Sequence, residues 1–272
     1  MAVDVPAPDV SIIIPVFNRI EFTAQCLDRL ARHTAPSPSF EVIVVDNASS
    51  DGTAAWFAGR SFPIAVTYHR ADHNLGFARA NNVGARLSRG RGLLFLNNDT
   101  IVQPGWLAEM WRVLRSDPKV GIVGLKQLFP YTNTVYHTGV VFAPGGVPQH
   151  LYPHLDASLP QVNQERDYQA VNGACMLIDR PLFDDCGGFD EAYVNGYEDT
   201  DLCLQAGRRG RRVVCCTSAF IYHYAQISEG RTLDDDANAR LFASRWRDTV
   251  RIDQSEYLLR DRVLAPAAHG SV

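Results

Sequence analysis

The sequence has no basic excess. Its 272 residues carry 26 Lys and Arg against 30 Asp and Glu, a formal net charge of -4, too little positive field to neutralise a nucleic-acid backbone. It also has no CxxC pair. The six cysteines (Cys26, Cys175, Cys186, Cys203, Cys215 and Cys216) lie partly inside apolar runs, where a thiol packs as a small hydrophobe, so a reducing, cytoplasmic setting is expected. No stretch approaches about 18 uninterrupted apolar residues, and MAVDVPAPDV at the start has neither a basic head nor an apolar core. Neither export nor a membrane span is indicated, while peripheral contact with a membrane stays open. A GxGxxG fingerprint, internal repeats and low-complexity linkers are missing as well.

What the chain does have is apolar content, 46% hydrophobic residues, enough for one large or two small cores. Residues 11–16 (SIIIPV) and 41–45 (EVIVV) are short β-branched runs, which predict strands buried on both faces of a parallel sheet. Apolar spacing predicts a crossover helix between them, over 21–32. The pattern then repeats with a short helix over 51–58 capped by Ser49 or Ser50, a strand over 64–68, a helix over 76–87 and a strand over 93–96. Pro104 suits a first-turn position, and Trp106, Leu107, Met110 and Leu114 form the stripe of a helix reaching Ser116. Alternation of strand and helix from 11 to 116 predicts a doubly wound α/β fold with a mostly parallel sheet. From about 120 to 170 the chain is rich in Gly, Pro, Tyr and His, and runs at 120–125 and 139–142 suggest antiparallel strands between long loops. Strands at 174–178 and 212–221, helices near 180–186 and 198–207, and a polar helical tail complete the expectation.

In an open parallel sheet, ligands bind beyond the carboxyl ends of the strands. Asn18, Asp46 with Asn47, and Asp99 follow the apolar runs. Such residues also make turns and cap helices, and it is their joint occurrence that favours a ligand site. In the run from Leu96 to Thr100, extended chain would turn Asn97 and Asp99 to one side. Two oxygen ligands there suit a hard divalent cation, magnesium or manganese, whose shell is otherwise filled by water and diphosphate. Glu198, Asp199 and Asp201 open a helix directly after Tyr197. Acids suit the positive end of any helix, but three beside a tyrosine and a glycine exceed that need, and one would serve as general base toward an acceptor hydroxyl. His223 ends the next strand and returns to the same crevice, where its imidazole suits manganese better than magnesium. His150 and His154 have a metal-like spacing, but Pro153 argues against a helix and places them in a loop.

Taken in order, SIIIPVFNR, VVDNASSDGT, NLGFARANNVGA, LNNDT, GGFDEAYVNGYEDTDLC and YHYAQIS resemble the inverting glycosyltransferases of family 2, which have a GT-A fold. The resemblance spans about residues 11–228, and the ordered set is far more specific than any one member. It implies one catalytic domain over 11–232, with a Rossmann-like nucleotide-sugar half at 11–118 and an acceptor half with antiparallel strands at 119–232. An extension over 1–10 and a helical tail over 233–272 would flank it. By the same resemblance Pro15, Phe17 and Asn18 shape the nucleotide pocket, Asp46 binds the base or its ribose, and Asp51 lies beside it. Asn47, Asn97 and Asn98 border the donor, and Arg79 and Asn82 sit near it. Asp99 corresponds to the metal-binding acid of a DxD motif in which Asn97 replaces the first Asp, with one charge fewer. Asp199 is the implied base, Glu198 orients the acceptor or shares that role, and His223 closes on metal and diphosphate. Chains with LNNDT and YEDTDLC are similar to bacterial transferases that build rhamnose-containing surface polysaccharides. The implied donor is a UDP-, dTDP- or GDP-sugar, and the acceptor a glycan, lipid-linked or other hydroxyl.

Two other classes compete with this reading. A nucleotidyltransferase would want a glycine-rich basic loop after the first strand, and PVFNRIEF has no glycine; the lack of GxGxxG likewise disfavours a dinucleotide-dependent oxidoreductase. A noncatalytic nucleotide-sugar-binding protein would keep the fold and lose activity through Asn97. Arg208, Arg209, Arg211 and Arg212 form either a solvated turn or a foothold for a lipid diphosphate or an anionic membrane surface.

Overall fold

The structure is a computed structural model and describes residues 6–225 and 235–263. Its first half is built as the apolar periodicity predicts. Strand β1 (Val10–Val16) is followed by helix α1 (Ile20–His33), β2 (Phe40–Asp46), α2 (Thr53–Phe57), β3 (Val66–Arg70), α3 (Gly76–Leu87) and β4 (Gly92–Leu96). A short β5 (Thr100–Val102) and α4 (Trp106–Ser116) lead into β6 (Val120–Leu128). Then come β7 (Val135–His137), β8 (Val140–Ala143), β9 (Val147–His150), β10 (Arg166–Tyr168), β11 (Cys175–Asp179), α5 (Arg180–Cys186), α6 (Glu198–Arg208) and β12 (Arg212–His223). Helices α7 (Asp235–Trp246) and α8 (Gln254–Arg260) close the described chain.

One mixed sheet runs through both halves in the order β10-β12-β6-β11-β4-β1-β2-β3, with β5 on β12 and β7 on β6. Strands β3, β2, β1 and β4 are mutually parallel, β11 is inserted antiparallel between β4 and β6, and β12 returns parallel to β6. Because side chains alternate faces along a strand, β1 feeds two cores. Ile12 and Ile14 pack with Leu27 and Leu30 of α1 and Trp106 and Met110 of α4, whereas Ile13 packs with Ala80 of α3 and Phe95. Helices on both faces are what a strand buried on both sides requires.

Several boundaries differ from expectation for local reasons. Helix α2 spans only five residues and starts after Gly52, whose φ of 91° breaks the chain direction; Asp51, not Ser49 or Ser50, takes the Thr53 N–H. His150 belongs to β9, paired with Val140, instead of a loop. The C-terminal segment is helical in α7 and α8, and its Phe242, Trp246 and Tyr257 are buried. The expected boundary at 232/233, residues 226–228 of YHYAQIS and the ends of the chain at 1–5 and 264–272 lie outside the described residues. Among the described residues, no helix is long and apolar enough to cross a membrane.

Candidate active site

At the carboxyl ends of β1 and β4, where the winding of the sheet reverses, lies a cleft of about 140 Å³. Such a switch point is where parallel sheets take ligands. One wall is Pro15, Val16 and Phe17 at the end of β1, Asn47 after β2, and Asn97 and Asn98 after β4. The lining continues through Asn172, Gly173 and Ala174 ahead of β11, the antiparallel neighbour of β4, and then Asn195, Glu198 and Asp199.

Other residues expected at the ligand are found in the supports of that cleft. Asn18 and Arg19 adopt left-handed φ values of 57° and 59°. Asn18 stitches the β1 loop to the β2 loop, giving its N–H to Ser49 Oγ (2.7 Å) and accepting the Ser50 N–H (2.8 Å). Asp46 is fully buried and accepts bonds from Ser49 N (2.8 Å), the Tyr68 hydroxyl (2.5 Å) and Arg70 (2.8 Å). Burial and the Asp46 carboxylate push Tyr68 up to about 12, so it stays a donor. Asp46 therefore holds the loop, and its neighbour Asn47 supplies the wall. Asp51 accepts the Ile20 N–H at the start of α1. Arg79 pairs with Glu191, and the Asn82 amide closes on both the N–H and the C=O of Phe189. The structure does not bring Arg79 and Asn82 into the cleft, because their face of α3 packs on the segment around 189–191.

Residues 98 and 99 form the turn between β4 and β5, so the two-residue alternation of extended chain does not run from Asn97 to Asp99. Asn97 lines the cleft, while Asp99, buried, meets His223 across the β5–β12 pairing. His223 Nε2 lies 3.2 Å from Asp99 Oδ1, yet no hydrogen bond reaches that nitrogen, which is buried. His223 Nδ1 is 3.0 Å from Gln127 Oε1. Two ligands at right angles about 2.1 Å from one ion are about 3 Å apart. A carboxylate oxygen and an orphaned imidazole nitrogen at this separation fit a shared divalent cation. Among the described residues, no group of three or more His, Cys, Asp or Glu forms a metal site.

The acidic cluster is divided by the fold. Helix α6 begins after Asn195 and Tyr197, both left-handed with φ of 55° and 73°, a strained approach of the kind found at functional sites. Asp199 accepts the Gly173 N–H (2.7 Å) and the Thr200 N–H (2.6 Å), which fix its carboxylate at the cleft. Glu198 is buried and accepts the Gly196 N–H (2.6 Å), bracing the turn. Asp201 faces away: it accepts bonds from Tyr193 (3.0 Å), Gln205 (2.7 Å) and Trp246 Nε1 of α7 (2.6 Å).

Residues 11–187 match the sequence pattern of glycosyl transferase family 2. The chain belongs to that family. Over 227 residues it is 34% identical to the O-antigen biosynthesis protein RfbC of Myxococcus xanthus, covering 81% of this chain but only 18% of that protein. Among solved structures, a mannosyltransferase of Pyrobaculum calidifontis in complex with GDP-Man and Mn2+ superposes with a TM-score of 0.64 at 20% identity, over 94% of this chain and 69% of that one. TarS of S. aureus in complex with UDP-GlcNAc gives 0.61 at 17% identity, over 94% and 66%. These last two likenesses are of fold, and they agree with the mixed α/β sheet described above.

The glycosyltransferase cleft includes a segment that motif reading passed over. Asn172-Gly173-Ala174 touches three parts of the site at once: Asn172 Oδ1 accepts from Gln127, Gly173 N–H holds Asp199, and Ala174 C=O accepts the Asn97 N–H (2.9 Å). The signal was an Asn-Gly step at the mouth of an apolar strand. Asn195, which accepts the Phe77 N–H (3.1 Å), was equally hidden in a loop. The four arginines are engaged internally. Arg208 stacks over Trp246, Arg209 bonds the carbonyls of Gln205 and Asp185, Arg211 reaches the Val120 carbonyl, and Arg212 pairs with Asp117 and Asp167.

Proposed function

We propose that this glycosyltransferase moves a sugar, with inversion, from a nucleotide diphosphate donor (UDP-, dTDP- or GDP-linked) to a hydroxyl of a glycan or lipid-linked acceptor in cell-surface polysaccharide assembly. The observation that carries the reading is the orientation of Asp199. Two backbone N–H groups fix its carboxylate in the cleft that Pro15, Phe17, Asn47 and Asn97 also line. A donor laid against the first wall leaves its anomeric carbon between that wall and the base. Asp199 then removes the proton as the acceptor oxygen attacks, the bond to the diphosphate breaks on the opposite side, and a single displacement inverts the centre. Glu198 holds the turn that presents Asp199. When bound by Asp99 and His223, a divalent cation supplies neutralisation of the charge that develops on the leaving diphosphate. Asn97 contributes an amide where a second charge would otherwise stand, which suits an ion bound with its nucleotide over one bound tightly alone. Support for the substrate class comes from the GDP-Man and UDP-GlcNAc named for the similar folds and from the O-antigen relative. All six cysteines are unpaired, which suits a reducing, cytoplasmic compartment.

The test is a panel of nucleotide sugars with Mn2+ or Mg2+, scored by released nucleoside diphosphate. Turnover should vanish with chelator, and Asp199→Asn should lower kcat about a hundredfold or more, the usual range for a lost general base. Full turnover by that variant would remove Asp199 from the role. Donor binding without hydrolysis or transfer under any condition would favour the noncatalytic binding protein.

A further inference from the structure

Hydrogen-bond directions around His223 can be followed outward from a donor whose identity is fixed. The Ala174 backbone N–H lies 2.7 Å from Asn172 Oδ1, so that atom is an acceptor. The Gln127 amide end that approaches the same Oδ1, at 3.4 Å, must therefore be its NH2. Gln127 then turns its oxygen to His223 Nδ1, 3.0 Å away, and an oxygen there calls for a proton on Nδ1. Asn172 Nδ2 faces His150 Nε2 at 3.4 Å, and His150 Nδ1 faces the Tyr136 carbonyl at 3.2 Å, directions consistent with the same assignment. Gln127 is fully buried on β6, in register with Ile221 and hence on the face that His223 shares two residues along β12.

We propose that Gln127 is a positioning residue: backed by Asn172, it holds the His223 ring with its proton on Nδ1 and its Nε2 lone pair toward Asp99, ready to ligate a divalent cation. Two buried acceptors 3.2 Å apart are unfavourable unless a positive centre lies between them, so the same chain of bonds that costs stability without the ion favours binding it. A partner that fixes the tautomer of a histidine ligand typically changes metal affinity ten- to a hundredfold. The inference rests on the metal-site reading of Asp99 and His223 given above.

Two measurements on the full chain separate the inference from that reading. With 15N-labelled histidine and no metal, long-range 15N–1H correlation reports the His223 tautomer, its signals assigned by their loss in His223→Gln. The parent should show the proton on Nδ1; a parent ring carrying it on Nε2 overturns the proposal without any other variant. Titration with MnCl2, followed by loss of the free-ion electron paramagnetic resonance signal, gives the affinity. Gln127→Met should weaken Mn2+ binding about tenfold or more and lose the tautomer preference, whereas Gln127→Glu, which still accepts from Nδ1, should keep the tautomer. If Gln127→Met retains both the parent tautomer and the parent affinity, Gln127 has no positioning role. A parent that binds no Mn2+, alone or with UDP, would sink the metal reading, and the tautomer comparison would still decide the role of Gln127.

Discussion

Gly173 leaves almost no room beside the proposed base. A Cβ at this position would stand 3.0 Å from Asp199 Cβ and 3.3 Å from its Oδ2, so Gly173→Ala must push the carboxylate by a few tenths of an ångström. Displacements on the scale of 1 Å cost about a hundredfold in rate. A smaller one should lower kcat about tenfold while the donor KM changes little; an unchanged kcat would show that Asp199 is not placed by this contact. Single residues also show where sequence reading reaches its limit. Asp46, Asp99 and Asp199 each follow a strand or open a helix, and all three were legible as candidates. Which of them would face the cleft was not, because Asp46 is turned inward by Tyr68 and Arg70, 22 and 24 positions along the chain.

At the scale of elements, the parallel half was legible because β1, β2 and β4 are near-continuous apolar runs and α1, α3 and α4 carry a 3.6-residue stripe. In the region from 120 to 170 only the runs behind β6 and β8 were legible, since β7, β9 and β10 are three or four residues long and β10 takes its partner, β12, from far along the chain. Helix α6 shows the same limit within one element. Asp199 and Asp201 are two apart on a helix, about 200° around its axis, so one meets the cleft and the other the α7 helix. Sequence spacing separates them, but only the docking of α7 through Trp246 says which is which. Removing the buried acceptor in Asp201→Ala strands Trp246 Nε1 and the Tyr193 hydroxyl, while Arg245 keeps Asp190, which should lower unfolding free energy by about 3 kcal/mol. Asp199→Asn keeps an oxygen for only one of its two backbone N–H groups, so it should cost less stability than Asp201→Ala while turnover is lost. Urea unfolding and initial rates on both variants check the division; an Asp201 variant that keeps stability but loses turnover would return that residue to the reaction.

Across the whole molecule, the engaged arginines and the cleft lie at opposite ends of α6, which at 11 residues is about 16 Å long. That separation, with every arginine of the run bonded internally, gives the foothold reading no support from geometry. The buried polar groups instead make stability depend on pH. His137 is fully buried, and burial first, then the nearby His150 and His223, drives its pKa well below 6.5. In the unfolded chain it takes up a proton as pH falls through about 6.5, while the native state does not. The unfolded state then binds more protons, so stability from this group is fully present above 6.5 and is lost as pH falls. The loss approaches about 1.4 kcal/mol per pH unit. Carboxylates enter only later. Burial of Asp261 works against its charge, but the paired bonds from Arg166 and the Tyr152 hydroxyl hold its pKa below 3.8, so its contribution persists until pH falls below about 4. His137→Gln offers an uncharged acceptor to the Asn172 N–H that His137 Nε2 now receives at 3.2 Å. That variant should be less stable than the parent at pH 8, and the gap should narrow steadily between pH 6.5 and 5 as only the parent loses stability through this site. Urea midpoints at half-unit steps measure it, and a gap that stays constant over that range would mean His137 shares its protonation state with the unfolded chain.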